Sequence, residues 1–316
     1  MKTENILFLF QVLLKSVNNE KILLFIIFLV TSCQKEENGD QITEPVWKTK
    51  QFTFDHNGTI RTYILHKPAN FVENSPLVFV LHGFTGNASN IMSYSQMNQI
   101  ADENGFMVCY PQGTVLTSGQ THWNANLDMS SVNDIDFLSQ LAKEIQFNYK
   151  INPKNTFVSG MSNGGFMSYT LGCQKSDIFK AIASVTGTMS GKDWKTCNPS
   201  NKIPVMQISG TNDTTVPWDG TMSTNYGWGG APHIIKVMDY WANLNGCSKD
   251  EKIDFPDIDT SDKSTVSLTK RKGSINNNEV WLYTVTGGGH DWPGSWGNKD
   301  ISASKEIWKF FKQHLK

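Results

Sequence analysis

The chain has 316 residues, enough for one large domain or two small ones, and its 39% hydrophobic content is ample for a sizeable core. Its 28 lysines and arginines nearly balance 29 aspartates and glutamates. A formal net charge of -1 provides no basic field, so we expect no nucleic-acid partner.

The N-terminal segment is typical of an export signal. Two apolar runs, residues 6–14 and 22–30, precede Thr31-Ser32-Cys33, and each is too short to span a bilayer comfortably. An apolar core, small residues and a cysteine resemble a bacterial lipoprotein signal. This resemblance predicts removal of residues 1–32 and lipid attachment at Cys33. A plain secretory signal and a membrane anchor are the alternatives.

Residues 33–46 are predicted to form a flexible tether, because residues 34–40 are polar and lack periodicity. An acidic segment directly after a lipidated cysteine resembles the surface-export signal of Bacteroidetes lipoproteins. These two signals predict a protein that is anchored by lipid to the bacterial outer membrane or cell surface. We expect the protein to be a monomer. Secretion without an anchor is the alternative.

From residue 47 onward, apolar runs alternate with segments of helical spacing. Residues 51–56 and 59–66 alternate apolar and polar side chains around Asn57-Gly58, which predicts a hairpin. Strands alternating with helices imply a mostly parallel sheet covered on both faces, and no linker divides residues 47–316 into two domains. The other predicted strands are 77–81, 106–110, 155–159, 179–185, 204–209, 265–270 and 279–286, and the predicted helices are 90–103, 132–149, 166–171, 234–244 and 301–315.

A Gly-x-Ser-x-Gly motif, Gly160 to Gly164, lies between a predicted strand and a predicted helix. This context is typical of the nucleophile elbow of α/β-hydrolases, and a glycine- and serine-rich loop is the alternative. Side chains at the two glycines would collide with the crossing strand or helix. We predict that Ser162 is the nucleophile. The N–H of Asn163, at the helix N-terminus, is predicted to donate to the developing oxyanion.

The acid and the base of a catalytic triad are predicted in two loops that leave strands. Asp213 lies in Gly-Thr-Asn-Asp-Thr-Thr-Val-Pro, and Asp219 is the rival acid. His290 follows three glycines that would let its loop reach over Ser162. The order Ser162, Asp213, His290 is the order that α/β-hydrolases use.

The loop His82-Gly83-Phe84-Thr85-Gly86 follows a buried strand and is the predicted oxyanion loop. An N–H from Phe84 or Thr85 would join that of Asn163. This chemistry requires no metal and no organic cofactor, and the sequence lacks a His-Glu-x-x-His zinc motif.

Together these motifs resemble the polyhydroxybutyrate depolymerase-like esterases, which overlap the feruloyl and acetyl-xylan esterases of carbohydrate esterase family one. This sequence departs from the family pattern at two positions. Ser209 stands where such sequences often have histidine, and Trp218 stands where tyrosine is usual. The resemblance implies an α/β-hydrolase fold and a serine esterase. The matching segments are 61–63, 81–83, 110–113, 133–138, 160–165, 210–217 and 288–294.

The segment between the strands at 179–185 and 204–209 is short, so we expect no large lid and an open cleft. Trp123, Trp218 and Trp292 are candidate aromatic walls for a sugar or phenolic ring, with ordinary packing as the alternative. The favoured substrate is a feruloyl or acetyl ester on plant polysaccharide. A short-chain polyhydroxyalkanoate depolymerase and a non-catalytic surface binding protein are the alternatives.

Four cysteines remain once Cys33 is assigned to lipid. Export permits disulfides, and we expect one bridge among Cys173, Cys197 and Cys247. Cys109 lies in an apolar strand and is a candidate for a buried free thiol.

Overall fold

The N-terminal hairpin forms as its sequence predicts. In the computed structural model, which describes residues 48–224, 229–274 and 276–316, strands β1 (Thr49–His56) and β2 (Thr59–His66) pair antiparallel. The two turn residues have positive φ, 53° at Asn57 and 81° at Gly58. A two-residue turn of this kind fixes the register of the hairpin.

Most of the other elements agree with the sequence periodicity within a few residues. The strands are β3 Leu77–Leu81, β4 Met107–Pro111, β5 Thr114–Val115, β6 Thr121–His122, β7 Thr156–Met161, β8 Ile182–Val185, β9 Val205–Gly210, β10 Lys249–Asp254, β11 Thr265–Lys272 and β12 Val280–Thr286. The helices are α1 Ala88–Ser95, α2 Met97–Asn104, α3 Asp134–Asn148, α4 Asn163–Gln174, α5 Gly191–Thr196, α6 Ile234–Asn245 and α7 Ala303–Lys312.

Among the described residues, ten strands form one sheet in the order β1-β2-β4-β3-β7-β8-β9-β12-β11-β10. The six central strands, from β4 to β12, are mutually parallel, and antiparallel strands flank them on both sides. The sequence therefore predicted the mostly parallel sheet correctly. Because the central strands share a direction, the loops at their carboxyl ends meet along one edge, where such sheets bind ligands.

Helices cover both faces of the sheet, as the buried central strands require. Helices α3, α4 and α6 pack on one face, around Phe166 and Trp241. Helices α1, α2 and α7 pack on the other, where the rings of Phe157 and Phe311 stack with centroids 4.8 Å apart. The described residues from 48 onward belong to one compact unit.

The structure differs from the prediction in one helix and in four elements that were not predicted, β5, β6, β10 and α5. The helix predicted at 90–103 is interrupted at Gln96, which has a left-handed φ of 52° and ends α1 before α2 begins. The apolar spacing continues across this break, so periodicity alone did not reveal it. Strand β10 was not predicted, because it is an edge strand with mostly exposed polar side chains and no alternation.

The four cysteines that the structure describes form one disulfide, Cys173–Cys197, which confirms the expectation of one bridge among three candidates. Cys109 is a buried free thiol, and Cys247 is a half-buried one.

Between β8 and β9, residues 186–204 contain only the short helix α5, so no inserted lid lies there. None of the helices in the described part of the chain is long and apolar enough to cross a membrane. The predicted signal (1–32), Cys33 and the whole of the tether (33–46) lie outside the described residues and stay predictions.

Candidate active site

The serine of the Gly-x-Ser-x-Gly motif lies in a strained turn between β7 and α4. Ser162 has φ 52° and ψ −119°, a conformation that costs a non-glycine residue about 1–3 kcal/mol. Two main-chain hydrogen bonds hold it: its N–H donates to Val185 O at 2.8 Å, and its carbonyl accepts from Phe166 N at 2.9 Å. The strand–turn–helix geometry of the nucleophile elbow is therefore present.

Main-chain atoms leave no room for a side chain at Gly160 and Gly164, the two glycines of the elbow. A Cβ on Gly160 would lie 2.3 Å from the carbonyl oxygen of Gly164, and a Cβ on Gly164 would lie 2.4 Å from that of Leu81. Such distances lie far inside van der Waals contact, and no side-chain rotation can relieve them. The elbow thus packs against the end of β3 at the closest approach that two backbones allow.

The predicted acid and base contact each other directly. His290 Nδ1 lies 2.7 Å from Asp213 Oδ2. The other carboxylate oxygen, Oδ1, accepts from the N–H groups of Thr215 and Val216, each at 2.8 Å. Both oxygens of this buried carboxylate are therefore used, and its orientation toward the imidazole is fixed. The rival Asp219 bonds instead to Thr221, and the carboxylate that pairs with His290 is that of Asp213.

Ser162 and His290 line the same cavity, about 340 Å³ in volume, at the carboxyl edge of the central strands. No hydrogen bond joins these two described side chains. Hydrogen bonds between catalytic groups often form only when the substrate binds. The structure thus brings together the three predicted triad residues. The remaining walls of the cavity come from residues 82–86 and from Asn90, Ile91, Tyr94 and Met161.

The predicted oxyanion loop is held by the side chain of its own first residue, His82. Its Nδ1 lies 2.8 Å from Gly83 O, and its Nε2 accepts from Gly113 N at 2.9 Å. Burial lowers the pKa of His82 to about 4, so the imidazole is neutral at neutral pH. A neutral ring that donates through Nδ1 and accepts through Nε2 satisfies both bonds. Sequence analysis placed this histidine in the loop but did not predict its bonds.

One of the two alternative oxyanion donors is already occupied. The N–H of Thr85 donates to Thr121 O at 2.8 Å, and the residue has a left-handed φ of 64°. The prediction of Thr85 as an oxyanion donor is therefore wrong. Its main-chain N–H is hydrogen-bonded to strand β6 and could donate to the oxyanion only if that bond broke. Phe84 and Asn163 stay as the predicted donors, and Phe84 lines the cavity.

Two of the three predicted aromatic walls are wrong. Trp123 and Trp292 are 0% and 1% exposed, so neither offers a face to a substrate ring. The indole of Trp123 donates to His82 O at 3.0 Å, and that of Trp292 donates to Ser304 Oγ at 3.1 Å. Trp218 is partly exposed beside Asp213, in a depression outside the serine cavity.

Sequence analysis missed one aromatic residue that lines the serine cavity and one exposed aromatic residue on the loop that carries His290. Tyr94 on α1 lines the serine cavity, and its hydroxyl accepts from Trp292 N at 3.4 Å. Trp296, on the loop that carries His290, is 70% exposed. The proximity of Trp296 to His290 in the sequence was the available signal.

One further carboxyl group influences the charge of the site. Burial raises the pKa of Asp291 to about 6, and the charge of Asp213 raises it further while that of His290 opposes the shift. In the described part of the chain, no group of three or more His, Cys, Asp or Glu side chains is placed to hold a metal ion.

Comparisons with known proteins agree with this geometry. Residues 61–239 match the family model described as Esterase PHB depolymerase, which is more than half of the chain. Feruloyl esterase B of Piromyces equi is 29% identical over 239 residues, which are 73% of this chain but only 42% of that protein. The chain therefore matches less than half the length of that relative.

Two other similar proteins are matched over more of their length. The putative esterase NocK of Nocardia uniformis subsp. tsuyamanensis is 26% identical over 257 residues, covering 75% of this chain and 72% of that protein. The acetyl xylan esterase from Aspergillus awamori superposes with a TM-score of 0.60 at 16% identity, over 84% of this chain and 99% of that chain. The chain thus has the α/β-hydrolase fold and belongs to the esterase PHB depolymerase family.

Proposed function

We propose that the chain hydrolyses carboxylic esters through an acyl-enzyme. In this proposal Ser162 is the nucleophile, His290 is the general base, and Asp213 orients the imidazole and stabilises its charged form. The observation that carries the proposal is the shared cavity of Ser162 and His290, in which the histidine is hydrogen-bonded to a buried, fully bonded carboxylate.

The reaction follows from these positions. His290 accepts the Ser162 proton through Nε2 while the serine oxygen attacks the ester carbonyl, and the main-chain N–H groups of Asn163 and Phe84 donate to the oxyanion. Each such donor lowers the barrier by about 3 kcal/mol. The imidazolium then protonates the departing alcohol. Water, deprotonated by the same histidine, releases the acid from the serine.

The proposed substrate is a feruloyl or acetyl ester on plant polysaccharide. Support comes from relatives named feruloyl esterase and acetyl xylan esterase. The serine cavity is open and has no inserted domain between β8 and β9 to cover it. An open cleft suits an ester on a polymer better than a buried lipid chain.

We propose Trp296 as an aromatic contact for the polymer, in place of the two buried tryptophans. Its ring is largely exposed on the His290 loop. Trp296→Ala should raise KM for acetylated xylan several-fold and leave kcat/KM for p-nitrophenyl acetate unchanged. Val72→Ala, at an equally exposed position near β3, is the control. If Trp296→Ala and wild type have the same KM and kcat for acetylated xylan, Trp296 does not contact the polymer.

A substrate panel tests the proposed function. Wild type should hydrolyse p-nitrophenyl acetate, methyl ferulate and acetylated xylan, and Ser162→Ala should hydrolyse none of them. Hydrolysis by wild type that Ser162→Ala loses also eliminates a non-catalytic binding protein. Wild-type rates in Ser162→Ala would disprove the assigned nucleophile.

A polyhydroxyalkanoate depolymerase is the second candidate. The family model that matches residues 61–239 carries this activity in its description. If films of polyhydroxybutyrate clear while methyl ferulate and acetylated xylan stay intact, the polysaccharide proposal is wrong and the second candidate replaces it.

We also propose that the protein is exported and anchored by lipid on Cys33, or secreted if the anchor is absent. The Cys173–Cys197 disulfide supports export, since disulfides persist in oxidising compartments. Globomycin should block processing of the wild type, and Cys33→Ala should lose lipid labelling. Processing that neither treatment changes would rule out the anchor.

A further inference from the structure

A two-stranded hairpin is hydrogen-bonded to the predicted oxyanion loop. It comprises residues 112–124, which include β5 and β6, and is here called the support hairpin. Thr121 of β6 makes two hydrogen bonds to the loop: its main-chain oxygen accepts from Thr85 N at 2.8 Å, and its hydroxyl Oγ1 donates to Gly86 O. One residue of the hairpin therefore holds both a donor and an acceptor of the loop's main chain.

The segment that Thr121 holds is a strained turn. Gly86 N donates to Gly83 O at 3.0 Å, which closes a four-residue turn with Phe84 and Thr85 at its centre. Thr85 has φ 64° at the third position, where turns of this kind usually need glycine or asparagine. Another residue persists in this conformation only where surrounding contacts enforce it. The bonds to Thr121 are such contacts, and without them the peptide between Phe84 and Thr85 is free to rotate.

A buried ion pair fixes the two ends of the support hairpin. Arg61 Nη2 donates to Asp134 Oδ1 at 2.8 Å, and both side chains are almost wholly buried. The same guanidinium nitrogen donates to Gln112 O at 3.1 Å, at the first residue of the hairpin. Asp134 Oδ2 accepts from Asn124 N at 2.8 Å, at the last residue. The ion pair therefore determines where the hairpin lies, although neither charged residue lines the serine cavity.

We propose that Thr121 is a positioning residue for the oxyanion loop, and that the Arg61–Asp134 ion pair acts on the reaction through the hairpin that carries Thr121. This role rests on the proposed ester hydrolysis, in which Phe84 N donates to the oxyanion. A loop that is already held needs no rearrangement as negative charge develops, so its donors stabilise the transition state more than the bound ester. Loss of the support should therefore lower kcat and leave KM nearly unchanged.

The first test compares three substitutions, with p-nitrophenyl acetate as substrate. Thr121→Val removes the hydroxyl bond to Gly86 O but keeps the branched side chain and the main-chain oxygen, so kcat should fall about tenfold. Thr121→Ser keeps the hydroxyl and should restore most of the wild-type kcat. The control, Thr114→Val, removes a β5 hydroxyl that has no hydrogen-bond partner in the described structure, and its kcat should equal that of wild type.

The ion pair is tested together with Thr121. Arg61→Lys keeps the charge but loses the planar fork, so it should also lower kcat at constant KM. If the ion pair acts through the hairpin, Arg61→Lys/Thr121→Val should lose less activity than the product of the two single losses. Urea titration of each variant shows that it is folded under assay conditions. Fully additive losses, or a wild-type kcat in Arg61→Lys, would exclude the ion pair from this role.

Amide hydrogen exchange at Thr85 provides a readout that needs no ester. In Thr121→Val this amide should exchange about tenfold faster than in wild type, whereas Thr114→Val should not change its rate. If wild type hydrolyses no ester, the proposed function is wrong, and the exchange rates still decide whether Thr121 orders the loop. If wild type is active but Thr121→Val keeps its kcat, or Thr114→Val loses as much, the positioning proposal is overturned.

Discussion

Gly164→Ala tests whether the close crossing of β3 and the elbow positions the nucleophile. The added Cβ would lie 2.4 Å from Leu81 O and 2.6 Å from His82 O. The first distance is about 1.0 Å short of the 3.4 Å at which ordinary contact begins. Both obstacles are main-chain atoms, so the elbow itself must move away from the oxyanion loop.

The expected losses follow from that displacement. Misplacing a catalytic group by about 1 Å costs roughly 100-fold in rate, so kcat for p-nitrophenyl acetate should fall about 100-fold. Overpacking at such a site costs typically 1–3 kcal/mol, so the free energy of unfolding should fall by that amount. The variant should therefore stay folded but lose activity.

The matched control is Gly289→Ala, beside His290. A Cβ there meets no atom within 4 Å, so the same substitution should be nearly neutral. Activity is measured with p-nitrophenyl acetate, and stability by urea titration. Wild-type kcat in Gly164→Ala, or equal losses in the two variants, would refute the steric argument.

Three other predictions concern single groups. Asp213→Asn should lower kcat about 10⁴-fold without unfolding, because an amide that keeps its two main-chain acceptor bonds turns its NH₂ toward the imidazole and reverses the tautomer. Cys173→Ser should lower the free energy of unfolding by about 3.5 kcal/mol, the loop-closure value for its bridge, whereas Cys247→Ser should change it little. Burial lowers the pKa of His82 and of His314 to about 4, so the unfolded chain binds protons near pH 6.5 that the folded chain does not. Stability is then complete above pH 6.5 and falls by about 2 kcal/mol per histidine on acidification to pH 5, and a flat urea-titration profile would contradict this.

The sequence was most informative where function constrains the backbone locally. The Asn57-Gly58 turn and the elbow around Ser162 each need particular residues at adjacent positions, so a short pattern specifies their geometry. The contact between Asp213 and His290 was predictable for a different reason. Both follow parallel strands, and loops at the carboxyl ends of such strands meet.

Features that depend on long-range packing were not predictable. The exposure of a tryptophan is set by every element around it, so sequence could not separate buried Trp123 from exposed Trp296. The occupied N–H of Thr85 depends on strand β6, whose two residues carry no periodic signal.

Trp123 was wrongly predicted to contact the substrate, but it does contact the proposed oxyanion site. Its main-chain N–H donates to Asn163 Oδ1 at 2.7 Å, and its carbonyl accepts from Asn163 Nδ2 at 3.0 Å. Its indole donates to His82 O, at the start of the oxyanion loop. One buried residue therefore ties together the two segments that carry the proposed oxyanion donors.

Trp123→Phe separates this positioning role from a role in binding substrate. The variant keeps most of the apolar volume but leaves His82 O without its indole donor, a loss worth about 1–3 kcal/mol for a buried group. If Trp123 positions the oxyanion loop, kcat should fall about tenfold with KM for methyl ferulate nearly unchanged, because the loop acts on the transition state. A rise in KM at constant kcat would instead indicate an aromatic wall and would restore the prediction that its burial contradicts.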